Sequence, residues 1–264
     1  MGPLAWRFFL SALEPQRIHS MLQEPKQVYS FWLPLVVLVS LTVASQLVSV
    51  SFTADKDFAD AFLPSTIALL LVSTPLAALG LLLGPRIGLG APLLTALFAR
   101  NSGALRQVVK VITLAAGVGL SLGLFLWLLR LATVDSLPPE LPELGHRGAV
   151  GGLLVSISAA IGEEVWLRLG VMTILAWILI RALGHHELTP RIAWTAIGVS
   201  ALAFGAIHLP QLAAAGAGTS IGIIATMLGN TLVGIACGWL FWRYGIVSAI
   251  AAHLATDVVP VSYT

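Results

Sequence analysis

The feature of the sequence that most restricts its fold is a series of long apolar runs. The first, FWLPLVVLVSLTVASQLVSVSF at residues 31–52, contains no charged residue. A helix needs about 20 apolar residues to cross the hydrocarbon core of a bilayer, so this run is long enough to span a membrane. Within that core the backbone must satisfy its own hydrogen bonds, which a helix does inside a single segment. We therefore expect an all-α, polytopic transmembrane helix bundle.

The composition supports a membrane environment. Of the 264 residues, 58% are hydrophobic and 10% are charged, whereas soluble domains carry about 25% charged residues. The basic residues are scattered rather than clustered, and the formal net charge is +2, so we expect no nucleic-acid partner. The single cysteine, Cys237, allows no disulfide framework and is interpreted as a small packing residue. We expect a multi-pass protein of the cell membrane.

The apolar pattern predicts about seven to eight spans. The amphipathic, basic segment 86–107 is predicted to be an interfacial hairpin rather than a span. The N-terminal segment 1–30 shows no cleavable signal peptide and is predicted to form an interfacial helix. The seven predicted spans are 31–53, 64–84, 108–133, 148–181, 191–212, 219–242 and 246–259.

The orientation is predicted from lysine and arginine, which are enriched in cytoplasmic loops. An arrangement with the N-terminus inside places the basic clusters in the cytoplasm. The alternate loops carry Lys56 and Arg147 among a larger number of acidic residues. The basic residues assigned to the cytoplasm are Arg7, Arg17, Lys26, Arg86, Arg100, Arg106, Lys110, Arg181, Arg191 and Arg243.

Three charged residues interrupt the apolar run AAIGEEVWLRLG at 159–170. A charged residue in the middle of a bilayer costs about 2.5–3.5 kcal/mol on insertion scales. Glu164 and Arg168 lie four residues apart, so they share a helix face and are predicted to form a structural ion pair. Glu163 lies about 100° further round the helix and lacks this partner. We therefore interpret Glu163 as the functional carboxylate.

Two later apolar segments carry histidines. His208 lies near the end of one, and His253 precedes Asp257 by four residues in another. Asp257 is expected to hydrogen-bond one ring nitrogen of His253 and fix its tautomer. Either histidine alone is typical of a packing residue, but two histidines and two carboxylates on three helices indicate a site. Such a set could activate water: a glutamate takes its proton, and a histidine donates to the oxyanion.

Three motifs carry a resemblance to a known family. EEVWLR at 163–168 matches EExxxR, FGAIH at 204–208 matches FxxxH, and HLATD at 253–257 matches HxxxN/D. In this order, the motifs resemble those of the CAAX protease and bacteriocin-processing (CPBP or Abi) family of intramembrane glutamic endopeptidases. The resemblance covers roughly residues 148–259. It divides the chain into the interfacial segment 1–30, N-terminal helices at 31–147, and a catalytic helical core at 148–264.

The resemblance implies a role for each motif residue. Glu163 would activate the attacking water, and His208 would share that water. His253 and Asp257 would correspond to the groups that stabilise the oxyanion, although an ionised aspartate cannot donate a hydrogen bond. Glu164 and Arg168 would support the structure of the site. The substrate would be a membrane-associated protein or peptide, either a CAAX-type tail, a bacteriocin leader or a C-terminal sorting signal.

Two alternatives remain at the level of sequence. Glu163, His208, His253 and Asp257 could instead bind Zn²⁺ in a metalloprotease, although we expect no cofactor. Buried Glu, His and Asp residues also build proton relays, which leaves a proton-coupled transporter or a non-catalytic membrane protein open. The absence of repeated halves in the sequence disfavours a transporter.

Overall fold

A computed structural model describes residues 31–53, 58–140 and 148–259. Every regular element in these ranges is helical, which confirms the all-α prediction. The predicted interfacial helix within residues 1–30 lies outside the described residues. The α-helices are α1 (Trp32–Thr53), α2 (Phe58–Leu83), α3 (Pro92–Phe98), α4 (Ala104–Thr133), α5 (Gly148–Glu164), α6 (Thr173–Ala182), α7 (Pro190–Ala206), α8 (Leu209–Ala214), α9 (Ser220–Tyr244) and α10 (Ile246–Asp257).

Within the described ranges, six helical segments are long and apolar enough to cross a membrane, so the protein is polytopic. Six of the seven predicted spans correspond to these segments. The last predicted span, 246–259, contains α10, which has only 12 residues. At 1.5 Å per residue α10 is about 18 Å long, shorter than the hydrocarbon core of about 30 Å. The six segments are Trp32–Ser51, Asp60–Ile87, Ala104–Ser136, Val150–Ala182, Pro190–Ala214 and Ser220–Tyr244.

The centre of the segment predicted as an interfacial hairpin, 86–107, lies between the candidate spans Asp60–Ile87 and Ala104–Ser136. The segment contains part of a 3₁₀ turn (Gly84–Ile87), then α3 and the start of α4. Its centre is more deeply buried than a surface hairpin would be, because Leu89 and Leu93 are only 4% and 2% exposed. The backbone N–H of Ile246 donates to the carbonyl of Gly90 at 3.0 Å. The hairpin therefore packs against the turn between α9 and α10.

Small residues allow two close helix contacts. Gly234 of α9 faces α7, where an added Cβ would lie 2.8 Å from Cα of Ala201. This contact uses the GIACG spacing at 234–238, which is typical of close packing between membrane helices. Gly119 of α4 faces α10, and the hydroxyl of Thr256 donates to its carbonyl at 3.2 Å. The second contact holds the short α10 inside the bundle.

Gly119→Ala should destabilise the protein by about 1–3 kcal/mol, the usual cost of overpacking. The new Cβ would overlap the carbonyl oxygen of Ala252, so α4 and α10 would have to separate. The measurement is the thermal unfolding temperature of purified protein in detergent. Gly117→Ala on the same helix is the matched control, because a Cβ there meets nothing within 4 Å. Equal unfolding temperatures for the two variants would contradict the close contact.

Candidate active site

The two adjacent glutamates lie at the end of α5, immediately before a π-helix at Val165–Met172. The sequence predicts one continuous helix over 148–181, and the chain does continue without a break, but its middle turn is widened. π-Helical turns occur frequently at functional sites. Side chains from two other helices fix this region: the amide of Gln46 donates to the carbonyl of Ser158, and the indole of Trp166 donates to the hydroxyl of Ser73, each at 2.9 Å.

Glu164 and Arg168 form the ion pair that their spacing predicts. Nε of Arg168 lies 3.2 Å from Oε2 of Glu164, and both side chains have no exposed surface. The guanidinium also stacks over the ring of Phe204, with Cζ 4.7 Å from the ring centroid. Each charge therefore compensates the other in a region without water-accessible surface.

The partner of His253 differs from the expectation. Its Nδ1 lies 2.8 Å from Oε1 of Glu164. Because a carboxylate only accepts, Nδ1 carries the hydrogen in this bond. Asp257 was expected to fix the tautomer, but its Oδ2 lies 3.7 Å from Nε2, beyond normal hydrogen-bond length. Glu164 thus orients His253 with one oxygen while it pairs with Arg168 through the other.

Glu163 lies between the two histidines. Its Oε1 is 3.9 Å from Nε2 of His208, and its Oε2 is 3.9 Å from Nε2 of His253. These separations exceed a direct hydrogen bond but suit a bridging water. The side chain of Glu163 is 18% exposed, in contrast to the fully buried Glu164. The structure therefore brings together Glu163, His208, His253 and Asp257, whose catalytic roles remain a prediction.

Phe204 organises the two histidines, a role that the sequence reasoning did not assign. Its carbonyl oxygen lies 2.8 Å from Nδ1 of His208, so this nitrogen donates and Nε2 is left to face Glu163. Its ring meets His208 and His253 edge-on, at centroid distances of 5.0 and 5.6 Å. The available signal was its position one turn before His208.

A cavity of about 400 Å³ reaches this cluster from one side. It lies between the last part of α4 and the first half of α9, and His253 and Asp257 line its inner end. The sequence reasoning missed the contribution of α4, which shows only general membrane character. Representative lining residues are Leu126, Leu129, Thr133, Ile224, Gly229 and Val233.

The possible metal ligands form a different set from the one that the sequence suggested. Among the described residues, Glu164, Cys237 and His253 place ligand atoms within 4.8 Å of one another. Only His253 belongs to the zinc set proposed from sequence. Both oxygens of Glu164 already face other side chains, and the Arg168 cation lies beside them. This donor set is therefore a poor match to Zn²⁺, which prefers three or four free N, S or O ligands.

Comparison with known families identifies the C-terminal part of the chain. Residues 146–259 match the family described as type II CAAX prenyl endopeptidase Rce1-like. The match contains all three motifs and confirms the resemblance over this segment. No curated protein and no solved structure matches the chain. The matched segment of this multi-pass helical membrane protein is thus similar to a family of CAAX-type proteases.

Proposed function

We propose that the protein is an intramembrane glutamic endopeptidase that hydrolyses a peptide bond of a membrane-associated protein or peptide. The observation that carries the proposal is the position of Glu163, whose two oxygens each lie 3.9 Å from Nε2 of a different histidine. A water molecule between Glu163 and His208 would be held by two acceptors and could lose a proton to the carboxylate.

In the proposed reaction, the carboxylate of Glu163 takes a proton from this water as the water oxygen attacks the peptide carbonyl. The new C–O bond moves the carbonyl electron pair onto oxygen, which gives a tetrahedral oxyanion. When this intermediate collapses, the C–N bond breaks and Glu163 returns its proton to the leaving amine. Nε2 of His208 holds the water, since its Nδ1 is engaged with the Phe204 carbonyl.

His253 is the proposed donor to the oxyanion. Its Nδ1 is held by Glu164, so Nε2 is the atom that faces Glu163 and Asp257. In its protonated form the ring would donate from Nε2 to the developing negative charge. Asp257 would not donate itself; its carboxylate, 3.7 Å away, would stabilise the positive ring electrostatically.

The proposal includes no metal cofactor. Glu164 is engaged with both Arg168 and His253, which disfavours a metal ion at the set Glu164, Cys237 and His253. The substrate is proposed to be a CAAX-type tail or a peptide released by maturation or sorting. The N-terminus is proposed to be cytoplasmic, on the basis of the distribution of basic residues.

His208→Gln should lower kcat by about 10²-fold, because the attacking water would lose one of the two acceptors that position it. The measurement follows cleavage of membrane-embedded peptides by protein reconstituted in liposomes, with products identified by mass spectrometry. His185→Gln is the matched control, because His185 lies exposed in the connection between α6 and α7. Ion flux without cleavage in the same liposomes would favour a transporter. A His208 variant that cleaved at the wild-type rate would remove the proposed role of this residue.

A further inference from the structure

The two ends of the helix bundle differ in what they contain. At one end, Pro138 in the segment after α4 packs against the start of α9, because a Cβ on Gly222 would lie 3.2 Å from its ring. At the other end, the hairpin approaches the turn between α9 and α10 through the Ile246 to Gly90 hydrogen bond. We name these the cavity end and the hairpin end.

The 400 Å³ cavity described above extends to the cavity end, where Ser136, Leu137 and Ile221 line it. A second cavity, of about 390 Å³, shares Ser136, Leu137 and Ile221 with the first and is also bounded by Thr219 and Ser220. The two cavities therefore follow one path from the membrane surface inward. From Ser220 to Val233 the axis of α9 rises about 20 Å, so the path extends well into the bilayer, and it reaches His253 at its inner end.

The charges of the described residues are distributed unequally between the two ends. The cavity end carries Arg130 together with the acidic residues Asp60, Asp135 and Glu140, whereas seven basic residues lie at or near the hairpin end. Because cytoplasmic loops are enriched in lysine and arginine, the hairpin end is assigned to the cytoplasm. The basic residues at or near the hairpin end are Arg86, Arg100, Arg106, Lys110, Arg181, Arg191 and Arg243.

The lining of the cavity defines its occupant. Eight of the 17 lining residues are aliphatic, including Leu126 and Leu129 of α4 and Ile224 and Val233 of α9. Such a surface can pack closely against aliphatic side chains of a peptide, and van der Waals packing drives association within a bilayer. Because α4 and α9 are both membrane helices, a peptide segment in the bilayer could enter between them without leaving the lipid.

We propose that this cavity opens to the extracytoplasmic side and receives an apolar segment of an exported, membrane-anchored protein. The inference rests on the proposed peptidase function and specifies the class of its substrate. A protein that has already crossed the membrane would present its anchoring segment to the mouth near Ser220, and the scissile bond would lie at the inner end beside His253.

The sidedness is tested by thiol labelling in intact cells with a membrane-impermeant maleimide. Ser220→Cys places a thiol at the cavity mouth, and His186→Cys places one in the exposed connection at the hairpin end. The native chain is the blank, because its single cysteine, Cys237, is buried. Ser220→Cys should be labelled in intact cells and His186→Cys only after permeabilisation. The reverse pattern would overturn the proposed orientation, whether or not the protein is a peptidase.

The occupant is tested by filling the cavity. Gly229→Trp adds a large side chain where a Cβ meets open space in the lining, and Gly198→Trp does the same on α7, away from the cavity. The probe is a dye-labelled synthetic leucine–alanine peptide in phosphatidylcholine vesicles, and its Kd is measured without cleavage. Gly229→Trp should raise Kd at least about tenfold, because the indole would occupy space in the cavity that the peptide needs. Equal Kd values for the two variants would overturn the cavity as the peptide site.

The two proposals fail in different ways. If Glu163→Gln still cleaves but Gly229→Trp weakens binding, the catalytic assignment is wrong and the cavity assignment stands. If Glu163→Gln is inactive, but the two tryptophan variants have equal Kd values and the labelling pattern is reversed, the proposed peptidase function stands. The substrate would then enter the protein elsewhere.

Discussion

Glu163→Gln is expected to abolish cleavage, lowering kcat by about 10⁴-fold. The amide has nearly the same size as the carboxylate but cannot accept a proton from water. Since Glu163 is partly exposed and its nearest histidine nitrogens lie 3.9 Å away, the substitution breaks no buried ion pair. The thermal unfolding temperature should therefore stay close to that of the wild type. Single-turnover cleavage in liposomes measures the chemical step directly.

The matched control is Glu187→Gln, which makes the same chemical change at an exposed position between α6 and α7. It should retain wild-type cleavage and wild-type stability. A second comparison is Glu163→Asp, which keeps the carboxylate but withdraws it from the histidines and should keep only a small part of the activity. Wild-type single-turnover rates in Glu163→Gln would show that the attacking water is activated by another group.

Arg168→Met is expected to destabilise the fold by about 3–5 kcal/mol, the usual cost of removing one partner of a buried ion pair. The methionine would leave Glu164 as a negative charge with no exposed surface. It would also remove the cation above the Phe204 ring. The measurement is the thermal unfolding temperature, together with the fraction of protein that stays monodisperse in detergent. Arg191→Met is the control, because Arg191 is exposed at the start of α7.

The double variant Glu164→Gln with Arg168→Met separates the electrostatic effect from the packing effect. Removing both charges should restore much of the lost stability, because no charge is then left without a partner. The double variant should nevertheless have low activity, since His253 would lose its carboxylate partner at Nδ1. If Arg168→Met alone unfolded at the same temperature as Arg191→Met, the buried pair would not stabilise the fold.

Local physical rules made much of the fold and part of the site predictable from the sequence. Long apolar runs identified the membrane helices, because a span is determined by the composition of one segment. The ion pair of Glu164 and Arg168 followed from helical spacing, which is also a local property. The convergence of Glu163 with both histidines was inferred from the presence of two histidines and two carboxylates on three apolar segments.

Contacts between distant segments were not predictable in the same way. Glu164 and His253 are 89 positions apart in the sequence, and no local pattern distinguishes Glu164 from Asp257 as the partner of Nδ1. The cavity depends on how α4 packs beside α9, and α4 alone has no distinctive residues.

We propose that Glu163, rather than a metal ion, activates the attacking water. The most direct test combines elemental analysis with cleavage assays on the same purified, reconstituted protein. We expect full cleavage activity with zinc well below one ion per chain, and no loss of activity when chelators are added. Stoichiometric zinc, with activity that chelators remove and added zinc restores, would contradict this proposal.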